Sequence, residues 1–250
     1  MSKFSIVIPA LNEERYLPNL LNSLTKQTRT DYEVVVVDGS SNDNTAALAR
    51  SFGGSLPKLQ VCVSPKARLP LQRNLGARAS AGEWLAFVDA DSILLPYFIE
   101  RLDCFIAERN PKLFTAWFRP DSEAPGDALF TLLTNLYVEG SIIFHRPIAP
   151  GPLTVVRRDV FELVGGYNEA LTFGEDYDLT RRIAARGIAP QILRETLSVL
   201  SPRRVRKEGT FRFMRFYAKA SLRVLLTRRN PDKAPSYMMG GQHYETDHST

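Results

Sequence analysis

The sequence predicts an α/β fold with a mostly parallel central sheet flanked by helices, and three observations predict it. From Phe4 to Asp91, short apolar runs alternate with segments whose apolar residues recur at helical spacing. The runs Val34-Val35-Val36-Val37 and Trp84-Leu85-Ala86-Phe87-Val88 lack polar alternation, the mark of strands covered on both faces. The links are short, and such strand–helix–strand units close as right-handed crossovers between parallel strands.

Phe4 to Pro9 reads as the first strand, stopped by proline, and Leu17, Leu20, Leu21 and Leu24 mark an amphipathic helix after it. Glu33 to Asp38 is a second strand; the polar turn Gly39 to Asn44 then offers helix caps to Thr45-Ala46-Ala47-Leu48-Ala49-Arg50. Leu59 to Val63 is a short third strand, Leu71 to Ala79 a helix carrying Arg73 and Arg78, and Glu83 to Asp91 a fourth strand ending on acid. Pro96 to Arg109 is an amphipathic helix, Lys112 to Arg119 a strand, and Asp127 to Phe144 a longer helical or mixed segment. Pro147, Pro150, Gly151 and Pro152 make a rigid loop before a strand at Leu153 to Val156. Arg158 to Val164 is a helix ended by Gly165-Gly166, and Gly174-Glu175-Asp176-Tyr177-Asp178 opens a last helix with Gly187 as C-cap.

At 250 residues, 44% hydrophobic and 24% charged, the chain has ordinary globular composition and enough length for one substantial core. Cys62 and Cys104 sit in strand-like and helix-like runs, so they are expected to be reduced core thiols of a cytoplasmic protein. Met1-Ser2-Lys3-Phe4 enters the first strand without the apolar region of a signal peptide. The long apolar stretches 129–144 and 211–226 are broken by polar and charged residues, short of the roughly 20 apolar residues a membrane span needs. The net charge of +5 is uneven: Ser201 to Lys233 carries eleven basic residues against Glu208 and Asp232, so this segment is +9 and the rest sums to −4.

Acidic residues follow strand one (Glu13), end strand two (Asp38) and end strand four (Asp89, Asp91), all at one edge of a parallel sheet. Ligands of open α/β sheets collect at that edge. The small Ala90 between Asp89 and Asp91 lets two carboxylates gather around one hard divalent cation, and Mg²⁺ takes one or two carboxylates and fills its shell with water and phosphate oxygens. Read alone, Asp-X-Asp is more simply a turn than a metal site.

Four motifs stand in order: Pro9-Ala-Leu-Asn-Glu-Glu14, Val37-Asp-Gly-Ser-Ser-Asn-Asp-Asn-Thr45, Asp89-Ala-Asp91 and Gly174-Glu-Asp-Tyr-Asp178. Together, over about residues 3–200, they resemble glycosyltransferase family 2, whose members have the GT-A fold and transfer sugars from nucleotide diphosphates with inversion. The resemblance implies that Pro9, Leu11, Glu13 and Asp38 line a base and ribose pocket, and that Arg73 faces the donor. It implies that Asp89, Ala90 and Asp91 form the metal motif, with Asp91 the direct ligand of Mg²⁺ or Mn²⁺ and Asp89 nearer the ribose. Asp176 matches the general base, which would take a proton from an acceptor hydroxyl; Glu175 and Asp178 beside it should raise its pKa. Against these stand plainer readings: Glu13 and the Glu175 cluster as helix-start acids, Asp43 as a cap, and Arg73 on a solvated helix face.

The implied organisation is a GT-A domain over residues 1–200, a basic helical extension over 201–230 and a polar tail over 231–250. The implied partners are a nucleotide-diphosphate sugar and a glycan or lipid-linked acceptor, with no nucleic acid. The Gln-X-X-Arg-Trp motif of processive members is absent, which argues against a polymer synthase. Arg203 and Arg204 are candidates to clamp a diphosphate, which planar guanidinium suits, or are plain surface. Arg212, Arg215, Lys219 and Arg223 share one side of a helix whose neighbouring face carries Phe211, Met214, Ala218, Leu222 and Leu225. Such a helix contacts an anionic membrane peripherally, recognises a lipid-linked phosphate acceptor, or packs on the domain with its basic side solvated. His145, His243 and His248 are too scattered for a metal set. Two other classes remain open: a nucleotidyltransferase, against which the acidic, glycine-free loop after strand one speaks, and a nucleic-acid binder using the basic C-terminus.

Overall fold

The computed structural model describes residues 2–143 and 152–201. Arg203, Arg204, the rest of the basic extension, the 231–250 tail, the three histidines and Pro147, Pro150 and Gly151 lie outside the described residues.

The first half follows the expected alternation: β1 (Phe4–Ala10), α1 (Leu17–Thr25), β2 (Tyr32–Asp38), α2 (Thr45–Ser51), β3 (Leu59–Val63), α3 (Leu69–Ala79) and β4 (Trp84–Val88). There follow β5 (Ser92–Leu94), α4 (Phe98–Arg109), β6 (Leu113–Pro120), α5 (Pro125–Ile143), β7 (Leu153–Arg157), α6 (Arg158–Leu163), α7 (Glu175–Ala184) and β8 (Gln191–Leu200). The strands form one eight-stranded sheet in the order β3-β2-β1-β4-β7-β6-β8-β5. β1 pairs in parallel with β2 and β4, β2 with β3, and β6 with β8. β7 runs against both β4 and β6, and β5 runs against β8, so the sheet is mostly parallel with two reversed strands.

Alternate residues of the central strands feed two separate cores, as period-2 geometry requires. Phe4, Ile6, Ile8, Val34, Val36, Trp84, Ala86 and Val88 pack with α1 and α4 on one face. Val7, Leu85 and Phe87 pack with α3, α6 and α7 on the other. Gly76 lets α3 lie close on β1: a Cβ there would stand 2.3 Å from Val7 Cγ1. That close seat holds the first turns of α3, with Gln72 and Arg73, against the carboxyl ends of the strands.

Two expectations need correction. β5 and β8 have no counterpart in the sequence reading, because β5 is three residues long and β8 is interrupted by Arg194-Glu195-Thr196, where its register with β6 slips. The cysteines are free thiols, but each is half-buried rather than in a core, since β3 is an edge strand and Cys104 lies off the buried stripe of α4. Among the described residues no helix is long and apolar enough to cross a membrane.

Candidate active site

The carboxyl ends of β1 and β2 finish side by side, Ala10 opposite Asp38, and the loops beyond them are bonded to each other. Asn12, in left-handed backbone (φ 53°), donates its N–H to Ser41 Oγ at 2.8 Å and accepts from Asn42 N at 2.9 Å. Glu13 N donates to Thr45 Oγ1 at 2.8 Å, and Glu14 N to Asp43 Oδ2 at 3.1 Å. Asp43 also accepts the Thr45 N–H, the capping role read from the turn. The Asp38 carboxylate accepts from the Ser41 N–H at 3.1 Å and from the Ser41 hydroxyl. Pro9, Leu11, Glu13 and Asp38 are therefore gathered at one place, all of them buried.

A residue missed in the sequence braces this corner from below. Gln72 is fully buried, and its Nε2 donates to Ala10 O (2.9 Å) and Val37 O (2.8 Å), the ends of both strands. A Cβ on Gly39 would approach its amide to 3.1 Å, so the loop after β2 rests directly on Gln72. Nothing but its place beside Arg73 marks it in the sequence.

Arg73 is 1% exposed, not on a solvated helix face. One Nη reaches Asp176 Oδ1 at 2.6 Å and Glu175 Oε1 at 3.2 Å; the other reaches Asp89 Oδ1 at 3.2 Å. The Tyr167 ring lies 5.2 Å from the guanidinium carbon and, wedged against Phe87 and Phe161, forms the apolar wall of the cluster. Asn74, the neighbour of Arg73, does not join the cluster. It donates to Tyr167 O (2.8 Å) and accepts from Tyr167 N (2.9 Å), fixing the loop that leads to α7. Gly174, at φ 72°, turns that loop so that Glu175 and Asp176 open the first turn of α7 facing Arg73.

Burial alone would lower the Arg73 pKa, but Asp176, Asp89 and Glu175 together raise it well above the ordinary range, so the guanidinium stays charged. Asp176, 15% exposed, moves the other way. Loss of solvation raises its pKa well above the usual carboxylate range; Arg73 opposes this, while Glu175 and Asp89 add to it. The expected push from Asp178 is absent, because that carboxylate is turned to Arg182 Nε at 2.7 Å, which in turn holds the Val164 and Gly166 carbonyls. Asp89, with a third of its side chain open, is pushed up to about 6 by burial of its carboxylate and by Asp91, against the pull of Arg73.

Asp89 and Asp91 thus offer hard oxygen donors in a place with more negative charge than Arg73 balances. Among the described residues no third His, Cys, Asp or Glu completes a metal cage. That donor set fits Mg²⁺ or Mn²⁺, which leave most of their shell to water and phosphate, and does not fit a tightly caged structural metal. A groove of about 570 Å³ beside Phe105, Glu139 and Pro190 lies toward the opposite edge of the sheet and meets none of these residues.

Comparison with known proteins bears on this geometry. The model of the family described as Glycosyl transferase family 2 matches residues 5–164. An uncharacterized glycosyltransferase of Haemophilus influenzae is 29% identical over 200 residues, covering 78% of this chain and 66% of its own length. The chain spans about two thirds or less of the curated relatives it matches first. Among solved structures, Staphylococcus aureus TarS 1-349 in complex with UDP-GlcNAc superimposes with a TM-score of 0.66 at 23% identity, over 80% of this chain and 58% of that one. The mannosyltransferase PcManGT of Pyrobaculum calidifontis, in complex with GDP-Man and Mn²⁺, gives 0.69 at 21% identity, over 93% of this chain and 66% of that one. Both share the fold.

Proposed function

Because the chain belongs to glycosyl transferase family 2, we propose that it transfers a sugar from a nucleotide-diphosphate donor to an acceptor hydroxyl or lipid phosphate, with inversion at the anomeric carbon and with help from Mg²⁺ or Mn²⁺. The observation that carries this reading is the double contact of Arg73, which joins Asp89 on the donor side to Asp176 on the acceptor side within one buried cluster.

The nucleoside lies in the corner formed by Pro9, Leu11, Glu13 and Asp38, where buried carboxylates accept from base N–H and ribose hydroxyl groups. Asp91 and Asp89 would hold the divalent ion, which when bound would supply countercharge to the diphosphate leaving group. Arg73 fixes one Asp176 oxygen and the orientation of its carboxylate. The raised pKa of Asp176 makes it a stronger base than an ordinary carboxylate, and it takes the proton from the acceptor oxygen as that oxygen attacks. A single displacement needs no covalent intermediate, which is why one base suffices. Arg203 and Arg204 serve as diphosphate partners: in the sequence they follow Leu200, which is paired with Ser92, next to Asp91.

The two solved neighbours hold different bases, UDP-GlcNAc and GDP-Man, so the shared fold does not select the donor. Calorimetric titration with UDP, GDP and dTDP, each with and without Mn²⁺, tests the reading. Metal-dependent binding of one of them is expected; binding of none would remove the donor site.

A further inference from the structure

Helix α5 is built inside out. Its buried positions are Asp127, Thr131, Val138 and Ser141, mostly small or polar, and the Thr131 and Ser141 hydroxyls are spent on carbonyls of their own helix, Asp127 O at 2.9 Å and Val138 O at 2.7 Å. The large apolar side chains point outward: Leu129 is 50% exposed, Leu132 55%, Leu133 39%, Leu136 55% and Tyr137 43%. Their spacing of three, four, seven and eight from Leu129 makes one stripe along the helix, and a contiguous exposed stripe of this kind marks a binding surface.

We infer that residues 211–226 of the same chain cover this stripe. The place, the pattern and the charge agree. β8 ends at Leu200, whose carbonyl accepts from Asp121 N at 2.9 Å, so the described chain leaves at Ser201 beside the head of α5. Phe211, Met214, Ala218, Leu222 and Leu225 recur at helical spacing in the sequence, and residues 211–226 wound as a helix would span about 24 Å against about 28 Å for α5. The ten residues from Ser201 to Phe211 reach up to about 35 Å, enough to start at either end of the stripe. The link from β6 to α5 exposes Asp121 and Glu123, and the residues that follow Ser201 include Arg203, Arg204, Arg206 and Lys207. Seated this way, Arg212, Arg215, Lys219 and Arg223 remain on the outer side.

Hydrogen exchange of the full chain tests this, with peptides from 125–143 and 211–226 followed together and peptides of β1 and β2 as the folding reference. The double variant Met214→Asp/Leu222→Asp should speed exchange in 125–143 by about tenfold or more, and Leu132→Asp/Leu136→Asp should do the same to 211–226, with β1 and β2 unchanged. Unchanged exchange in both segments overturns the assignment. So does protection of 125–143 that arises only on adding vesicles of phosphatidylcholine and phosphatidylglycerol, which would make a bilayer the occupant. Protection that grows with protein concentration overturns it in favour of a second copy.

Discussion

Arg73 Nη1 stands 2.6 Å from Asp176 Oδ1, across 103 residues of sequence, and the same guanidinium holds Asp89 on its other side. The contact ties α3 to the first turn of α7, so the proposed metal motif and the proposed base form one electrostatic unit. Three carboxylates around one buried cation exceed what it can neutralise. Loss of solvation first, and that excess of negative charge beside it, keep Asp176 and Asp89 shifted upward.

Arg73→Met should therefore destabilise the protein by about 3–5 kcal/mol near neutral pH, because it leaves buried carboxylates without a partner. The deficit should shrink on acidification, as those carboxylates take up protons. Arg73→Lys keeps the charge but loses the planar two-sided contact, and should fall between. Urea denaturation at two pH values measures this. An Arg73→Met protein as stable as wild type at neutral pH would mean the cluster is solvated, contrary to its burial.

Asp176→Asn should lower kcat by about 10²–10⁴-fold while leaving nucleotide binding intact. As the proposed base, Asp176 would work as the carboxylate, and its pKa lies above the ordinary range. Transfer must therefore fall as pH drops through that raised value, well before an unperturbed carboxylate near 4 would be protonated. A profile flat down to about pH 4, or near-normal turnover of Asp176→Asn, would require another base.

Asp89 ties stability to pH and metal. Its folded pKa, about 6, is raised from 3.8, so the folded state binds the proton more tightly than the unfolded chain. The resulting stabilisation is full below 3.8 and is lost as pH rises through about 6. Metal-free Asp89→Asn, permanently neutral, should thus melt above wild type at about pH 7.5 and level with it at about pH 4. Mn²⁺ should raise the wild-type Tm at the higher pH and leave the variant nearly unmoved. Asp91→Ala should likewise lose the Mn²⁺ response together with metal-dependent nucleotide binding. Equal Mn²⁺ shifts in wild type and both variants would place the metal elsewhere.

The parallel half of the sheet was legible because Val34 to Val37 and Trp84 to Val88 have no polar face, and the acids of the site follow such strands directly. β8 was not, since Arg194 and Glu195 break its apolar run and pair with Glu139 and Arg101, contacts that a local pattern does not contain. Asp38, Asp89 and Asp176 announced themselves as acids in motifs. The centrality of Arg73 did not, because an arginine on a helix reads the same whether it meets water or three carboxylates brought from distant segments. Tyr167 and Gln72 carried less signal still: their roles arise only when α3 seats itself against β1 at Gly76.

Gln72 supplies the last prediction. Its amide donates to Ala10 O and Val37 O and supports Gly39, so it sets the spacing of the two loops proposed to hold the nucleoside. It touches neither Asp176 nor Asp89 in the hydrogen-bond pattern, which separates its effect from the chemistry. In Gln72→Met the shape is kept and the donors are lost. Ala10 O retains a bond from Gly39 N at 2.8 Å, so the stability loss should sit toward the low end of about 1–3 kcal/mol. The loops, no longer pinned, should bind donor more weakly: KM for the donor should rise about tenfold with kcat within about twofold, the pattern of binding lost equally from ground state and transition state. Gln72→Glu should be worse on both counts, since it sets a carboxylate against two carbonyls. Steady-state kinetics with saturating acceptor reads the split directly. A fall in kcat with KM unchanged would show that Gln72 acts on the transferring sugar through the Arg73 cluster, and that the two corners of the site are not separable.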